Sequence, residues 1–250
     1  MCKELVQTLQ CYAMFRREFR SGGTHCPQST SSVAHAQAYI EVTPMSYSEF
    51  TFQDLRDKLS LHLVQDTSLF ATLEEVQVSA YLQTTLRENV ALALNINTEK
   101  ARSEMIVAPM LIEVRKILNR QISLFSGVEF HVDASLGLTG VCDYIISKST
   151  NQVYINAPVV IIVEAKNENI KAGLPQCMAA MYAAKIYNER EHNDVDRILG
   201  VVTTGSNWKY LILEDMRVVI DYDEYLIDHA GKILAIILQA LTPDKQVAHQ

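Results

Sequence analysis

The sequence predicts an α/β fold: a mixed β-sheet flanked by helices, with a helical N-terminal extension. Three observations carry that prediction. Val159-Val160-Ile161-Ile162-Val163 is a continuous β-branched run, the pattern of a central strand covered on both faces. Helix-spaced segments stand before and after it. From residue 99 the order reads helix, three strands, helix, two strands, an alternation that gives layered α/β sandwiches.

Residues 1–37 carry loop compositions, Ser21-Gly22-Gly23-Thr24 and Gln28-Ser29-Thr30-Ser31-Ser32, and are expected to form a flexible leader. Residues 38–98 are expected to form a mainly helical cap, with helical spacing over Phe52 to Leu63 and Leu73 to Leu94. The domain proper is then 99–250. Its first helix is capped by Asn97 or Thr98, with Glu99 in the first turn where the helix dipole favours negative charge. An apolar stripe, Ile106, Val107, Met110, Leu111, Val114, Ile117 and Leu118, continues it. Pro109 interrupts the stripe as a kink or a late start.

Strands are expected at 128–132, 141–146 and 159–163. Gly173 and Pro175 then precede a helix to about Asn188, whose Ala179, Ala180, Ala183 and Ala184 permit close packing on a sheet. A strand pair, 198–203 and 208–213, turns at Gly205-Ser206-Asn207. A short strand over 218–221 and a helix from about Glu224 to Leu241 complete the reading.

Hydrophobic residues make up 48% and charged residues 20%, a globular profile. No apolar run approaches the roughly 18 residues that span a bilayer. The first twenty residues lack the apolar core of a signal peptide, so no membrane association and a cytoplasmic location are expected. The five cysteines are an odd set without a CxxC pair, which suggests reduced, structural thiols rather than a zinc site. A net charge of −7 and a pI near 5.5 count against tight non-specific nucleic-acid binding.

The chemistry concentrates in GVCDYIIS and APVVIIVEAKNENIKAGLPQC. Asp143 interrupts an apolar strand, where an unpaired carboxylate is costly. Glu164 and Lys166 close the next strand two residues apart, and so project to one face. Pairing of these strands would let Asp143 join them. Two close carboxylates stay ionised only with a cation between them. An all-oxygen set suits a hard ion such as Mg²⁺.

Asp143 followed by Glu164-Ala165-Lys166 resembles the D…(D/E)-x-K core of the PD-(D/E)XK nuclease superfamily. The resemblance covers roughly residues 99–215. The whole chain also resembles a cyanobacterial-type group of bacterial proteins within that superfamily. The resemblance implies a restriction-endonuclease-like core and metal-dependent endonuclease cleavage of DNA. Asp143, Glu164 and the Ala165 carbonyl would hold Mg²⁺, with Mn²⁺ as a substitute, and Lys166 would assist the attacking water. Gln176 resembles a glutamine that some members place on the next helix, although Tyr182 follows it by six positions rather than four. Cys142 stands where the motif has proline.

The resemblance also implies a glutamate from the first helix as a further ligand. At 100° per residue, Glu104 and Glu113 flank the apolar stripe symmetrically, so periodicity does not choose between them. The resemblance favours Glu104, which lies earlier in the helix. Lys171, Lys185, Arg190, Arg197 and Lys209 are candidate phosphate contacts, and Trp208 and the tyrosines are read as packing. DNA is the expected partner, and a homodimer or a partner subunit is left open. The alternative function is an inactive nuclease-fold module or a subunit of a restriction or defence complex.

Overall fold

The computed structural model describes residues 45–242, so the expected leader over 1–37 lies outside the described residues. After a 3-10 turn at Tyr47–Glu49, the elements are α1 (Phe52–Asp57), β1 (His62–Val64), α2 (Ala80–Ile96) and α3 (Glu99–Arg102). A π turn (Ser103–Val107), α4 (Ala108–Ile117), β2 (Ser123–Glu129), β3 (Val141–Ser147) and β4 (Val159–Ala165) follow. The chain continues through α5 (Ile170–Arg190), β5 (Arg197–Thr203), β6 (Asn207–Glu214), β7 (Arg217–Ile220), β8 (Tyr225–Leu226) and α6 (Ala230–Leu241).

The eight strands of the described residues form one sheet in the order β1-β7-β6-β5-β4-β3-β2, with β8 beside β6. β4 runs antiparallel to β3 and parallel to β5, so the sheet is mixed. The parallel pair is joined by α5, the helical crossover that parallel strands require. Helices cover both faces. On one face α5 packs with Tyr47, Phe50 and Leu55 against Ile145 and Ile162. On the other, α2, the π turn, α4 and α6 pack against Tyr144, Ile161 and Val163. Val159 to Val163 are all at most 2% exposed. Burying each such side chain contributes roughly 1.5–3 kcal/mol, which offsets the cost of carrying a carboxylate at the end of the same strand.

The segment expected as a helical cap belongs to these same layers. β1 is an edge strand paired with β7, and Leu55, Leu59 and Leu61 lie in the core under α5. Three residues are too few for β1 to declare a period. Leu73 to Val78 is not helical; α2 begins after Ser79, whose side chain accepts the Leu82 N–H at 3.2 Å. The last helix starts at Ala230 rather than near Glu224, because Tyr225–Leu226 pairs with β6.

Pro109 neither starts nor ends its helix. Helical structure runs from Glu99 to Ile117 through the π turn, where the Ala108 N–H reaches the Ser103 carbonyl. Pro109 has no N–H for the Met105 carbonyl four residues back. The Asn89 side chain donates to that carbonyl instead, at 3.1 Å.

The entry to β4 is held from α5. Asn188, 2% exposed, accepts the Val159 N–H and donates to the Val159 carbonyl, both at 2.7 Å. Asn188→Ala would leave two buried main-chain groups unpaired, at about 1–3 kcal/mol each. Urea unfolding is expected to show a loss of about 2–4 kcal/mol with an unchanged m value. A loss within about 0.5 kcal/mol would mean that water replaces the amide.

Candidate functional site

The structure brings Asp143, Glu164, Lys166 and Gln176 together where β3 and β4 part. The β3–β4 ladder runs as far as Tyr144 opposite Val163. Beyond it the Asp143 carboxylate takes the place of a main-chain acceptor: Oδ2 receives the Ala165 N–H at 2.7 Å. Glu164 and Lys166 share a face, as their spacing requires, and Lys166 Nζ lies 2.6 Å from Glu164 Oε1. The same ammonium donates to Gln176 Oε1 at 3.1 Å.

Gln176 reaches the site because Asn169 caps α5 beside the end of β4, its Oδ1 accepting the Ala172 N–H. One turn before Gln176, Gly173 leaves a slot for the lysine stem. A Cβ there would stand 3.0 Å from Lys166 Cγ and 2.8 Å from Val202 Cγ1. The Lys166 N–H donates to the Thr203 carbonyl at 2.7 Å, which ties the residue to β5.

Glu164 is 4% exposed and Asp143 is half-buried. Burial pushes the Glu164 carboxyl up to about 8; the Asp143 charge adds to the rise, and Lys166 opposes it. Asp143 is also raised, by burial first, against the Ala165 N–H, Lys166 and a hydrogen bond from the Glu164 carboxyl. Burial works to lower Lys166, but the charges of Glu164, Glu99 and Asp143 outweigh it and the ammonium is held above its ordinary range. The site therefore contains two carboxylates and one cation, too little positive charge to keep both acids ionised near neutrality.

That imbalance fits a divalent ion. The donors are oxygens, as a hard cation prefers. Oδ1 of Asn167, next in the chain to Lys166, is buried without a hydrogen-bond partner. Among the described residues no three or more His, Cys, Asp and Glu side chains are gathered as a metal-binding group. The acidic oxygens gathered here are those of the Asp143 and Glu164 carboxyls. Mg²⁺, which keeps several waters, suits so small a set.

The first-helix glutamates are placed differently from the expectation. Glu104 lies in the π turn, 59% exposed, with its carboxylate 3.0 Å from Lys100 Nζ. Glu113 is buried and paired with Lys116 at 3.0 Å, and it also bonds Ser79. Neither side chain is hydrogen-bonded to the site. The first-helix carboxylate whose charge acts on both Glu164 and Lys166 is Glu99. The symmetric placement of Glu104 and Glu113 assumed a uniform α-helix. The π turn inserts an extra residue, which rotates everything before it by roughly 100° relative to α4.

A hydrogen-bond network around the buried Arg102 anchors the turn that carries Glu99. Thr98 caps its helix, accepting the Ala101 N–H at 3.1 Å. Arg102, 9% exposed, donates to the Thr204 carbonyl and to Asn97 Oδ1, both at 2.9 Å. Asn97 in turn donates to Glu168 Oε1 at 2.8 Å. These contacts tie the first helix to the chain after β4 and to the β5–β6 turn. The Thr98 cap is legible in the local sequence; the Arg102–Thr204 and Asn97–Glu168 contacts are not, since they join residues about a hundred and about seventy positions apart.

Most of the cations considered as phosphate contacts are engaged elsewhere. Arg190 pairs with Asp133, Arg197 with Glu214 and Lys185 with Glu189. Lys209 is buried and donates to the Tyr222 carbonyl. Lys171, in the first turn of α5, is exposed. Trp208 is buried and donates to the Gly205 carbonyl, a packing role. Cys142 and Cys177 are buried in the core, where burial raises both thiols. Among the described residues no helix is long and apolar enough to cross a membrane. No protein-family model, curated protein or solved structure matches the chain.

Proposed function

We propose that this chain is a divalent-metal-dependent phosphodiesterase acting on DNA, built on a restriction-endonuclease-like core of the PD-(D/E)XK type. The observation that carries the reading is the convergence of Asp143, Glu164 and Lys166 at the parting of two strands, with the glutamate proton held to about pH 8. The order of first helix, β2, β3, β4, α5 and β5 supports it, because it is the order expected of that core.

Asp143, Glu164 and the Ala165 carbonyl would hold Mg²⁺, with Mn²⁺ able to replace it. Such an ion supplies Lewis-acid polarisation of a phosphoryl oxygen and a more acidic bound water. Lys166, fixed by Glu164 and Gln176, orients the attacking water and neutralises charge that develops on the phosphate. Gln176 holds the ammonium in place.

The test is cleavage of plasmid, single-stranded and branched DNA with Mg²⁺ or Mn²⁺. Wild type is expected to cleave at least one of them, and Glu164→Ala is expected to cleave none. Equal cleavage by both proteins, or none by wild type across all three with either metal, overturns the proposal. One observation favours a second reading, a nuclease-fold module that binds a partner without cleaving: four of the five candidate phosphate-contacting cations are already committed within the chain. In that case, or in a restriction or defence complex, DNA affinity would come from another subunit.

A further inference from the structure

Alternation of side chains fails at one place in two adjacent strands. On β3, Cys142 packs in the core under α5, yet Tyr144, two residues on, packs in the core of the opposite face. Residues two apart on a regular strand share a face. On β2, Phe125 lies in the core under α5 and Val128 packs against the same core, although they are three positions apart. The register is unbroken: Ser126 lies opposite Tyr144 and Val128 opposite Cys142. Both strands therefore exchange faces at the same position, where Gly127 stands across from Asp143.

Gly127 has φ +62°. This is left-handed backbone, open to glycine and disfavoured for most other residues. A Cβ at 127 would meet no atom within 4 Å, so the demand for glycine is conformational and not steric. The exchange of faces is also what frees Asp143 from either core. Its carboxylate runs along the sheet instead and receives the Ala165 N–H.

We propose that Gly127 is a positioning residue for the site: its left-handed backbone turns β2 and β3 together, and so aims the Asp143 carboxylate at β4. The use of that carboxylate as a metal ligand rests on the function proposed above, whereas its orientation does not.

The full chain with Gly127→Val or Gly127→Asn tests this, with Asp143→Ala as reference. Asparagine tolerates left-handed backbone and valine does not. Amide hydrogen exchange is read by NMR at Ala165, with Ile162 as internal control, and Mn²⁺ is titrated by calorimetry. In Gly127→Val, Ala165 should exchange at least tenfold faster than in wild type, as in Asp143→Ala, while Ile162 stays protected. Mn²⁺ affinity should fall at least tenfold. Gly127→Asn should stay within threefold of wild type in both readouts. Wild-type protection of Ala165 in the valine variant, or equal loss in both variants, overturns the proposal. Should Gly127→Val not fold, Gly127→Ala is judged by the same criteria. If wild type binds no Mn²⁺, the metal reading fails while Ala165 exchange still decides the role of Gly127.

Discussion

Glu164→Gln is expected to stabilise the metal-free protein at pH 9 and to change it little at pH 4. The folded carboxyl is pushed up to about 8, from an ordinary value of 4.5, by burial and by the Asp143 charge. Below 4.5 both the folded and the unfolded chain hold the proton, and the full stability is present. Between 4.5 and 8 the folded chain keeps a proton that the unfolded chain has released, so stability falls as pH rises. At about 1.4 kcal/mol per pH unit the loss is up to about 5 kcal/mol, an upper bound because Asp143 titrates with Glu164. Asp143, also raised, acts in the same direction from a lower starting point. Lys166 is held above its ordinary 10.5 and remains charged throughout this window, so its own contribution is constant there.

Glutamine keeps the shape and carries no charge to desolvate. Its curve of stability against pH should therefore be flatter, crossing above wild type as pH rises. Urea unfolding in chelator at pH 4, 7 and 9 measures this. Parallel curves for the two proteins would sink the assignment of the raised pKa to Glu164. Mg²⁺ should stabilise wild type alone. A ligand at a hundred times its Kd adds about 2.7 kcal/mol, and that gain should appear at pH 8 in wild type and be absent from Glu164→Gln.

The parts of this site that were legible in the sequence are those set by local rules. Five β-branched residues in a row announce a buried strand, and spacing by two places Glu164 and Lys166 on one face. Asp143 was visible as a carboxylate out of place in an apolar strand. Gln176 came from the resemblance, as a glutamine on the helix after β4, and not from a local rule. What stayed hidden depends on main-chain geometry that the residue pattern does not encode. The π turn at Ser103–Val107 changes the phase of the first helix, so wheel arithmetic left Glu104 and Glu113 equivalent and the resemblance favoured Glu104, while the first-helix charge felt at the site is that of Glu99. The exchange of faces at Gly127 and Asp143 breaks the alternation on which strand reading rests. β1 and β8 were missed because three and two residues hold no period, and their identity as strands comes only from β7 and β6 beside them.

Lys166→Met should separate catalysis from metal binding. Methionine retains most of the stem that lies against Gly173 and removes the ammonium. In the proposed reaction that ammonium orients the attacking water and offsets charge developing on the phosphate. Its loss should lower DNA cleavage by roughly 10²–10⁴-fold, the range for removing one positioned proton-transfer or electrostatic group. Metal binding should respond in the other direction. With Nζ 2.6 Å from Glu164 Oε1, Lys166 occupies the carboxylate that a divalent ion would need, and its charge repels the ion. Mg²⁺ affinity in the variant should thus equal or exceed that of wild type, because the two carboxylates lose their only counter-charge within the site. The protein without metal should be less stable at pH 8 for the same reason, and Mg²⁺ should restore more stability to it than to wild type. Calorimetry, single-turnover cleavage and urea unfolding read these three effects separately. A parallel loss of cleavage and metal affinity would make Lys166 a structural strut for the carboxylates. Undiminished cleavage would remove it from the reaction and, with it, the chemical basis for reading Glu164 and Lys166 as a nuclease pair.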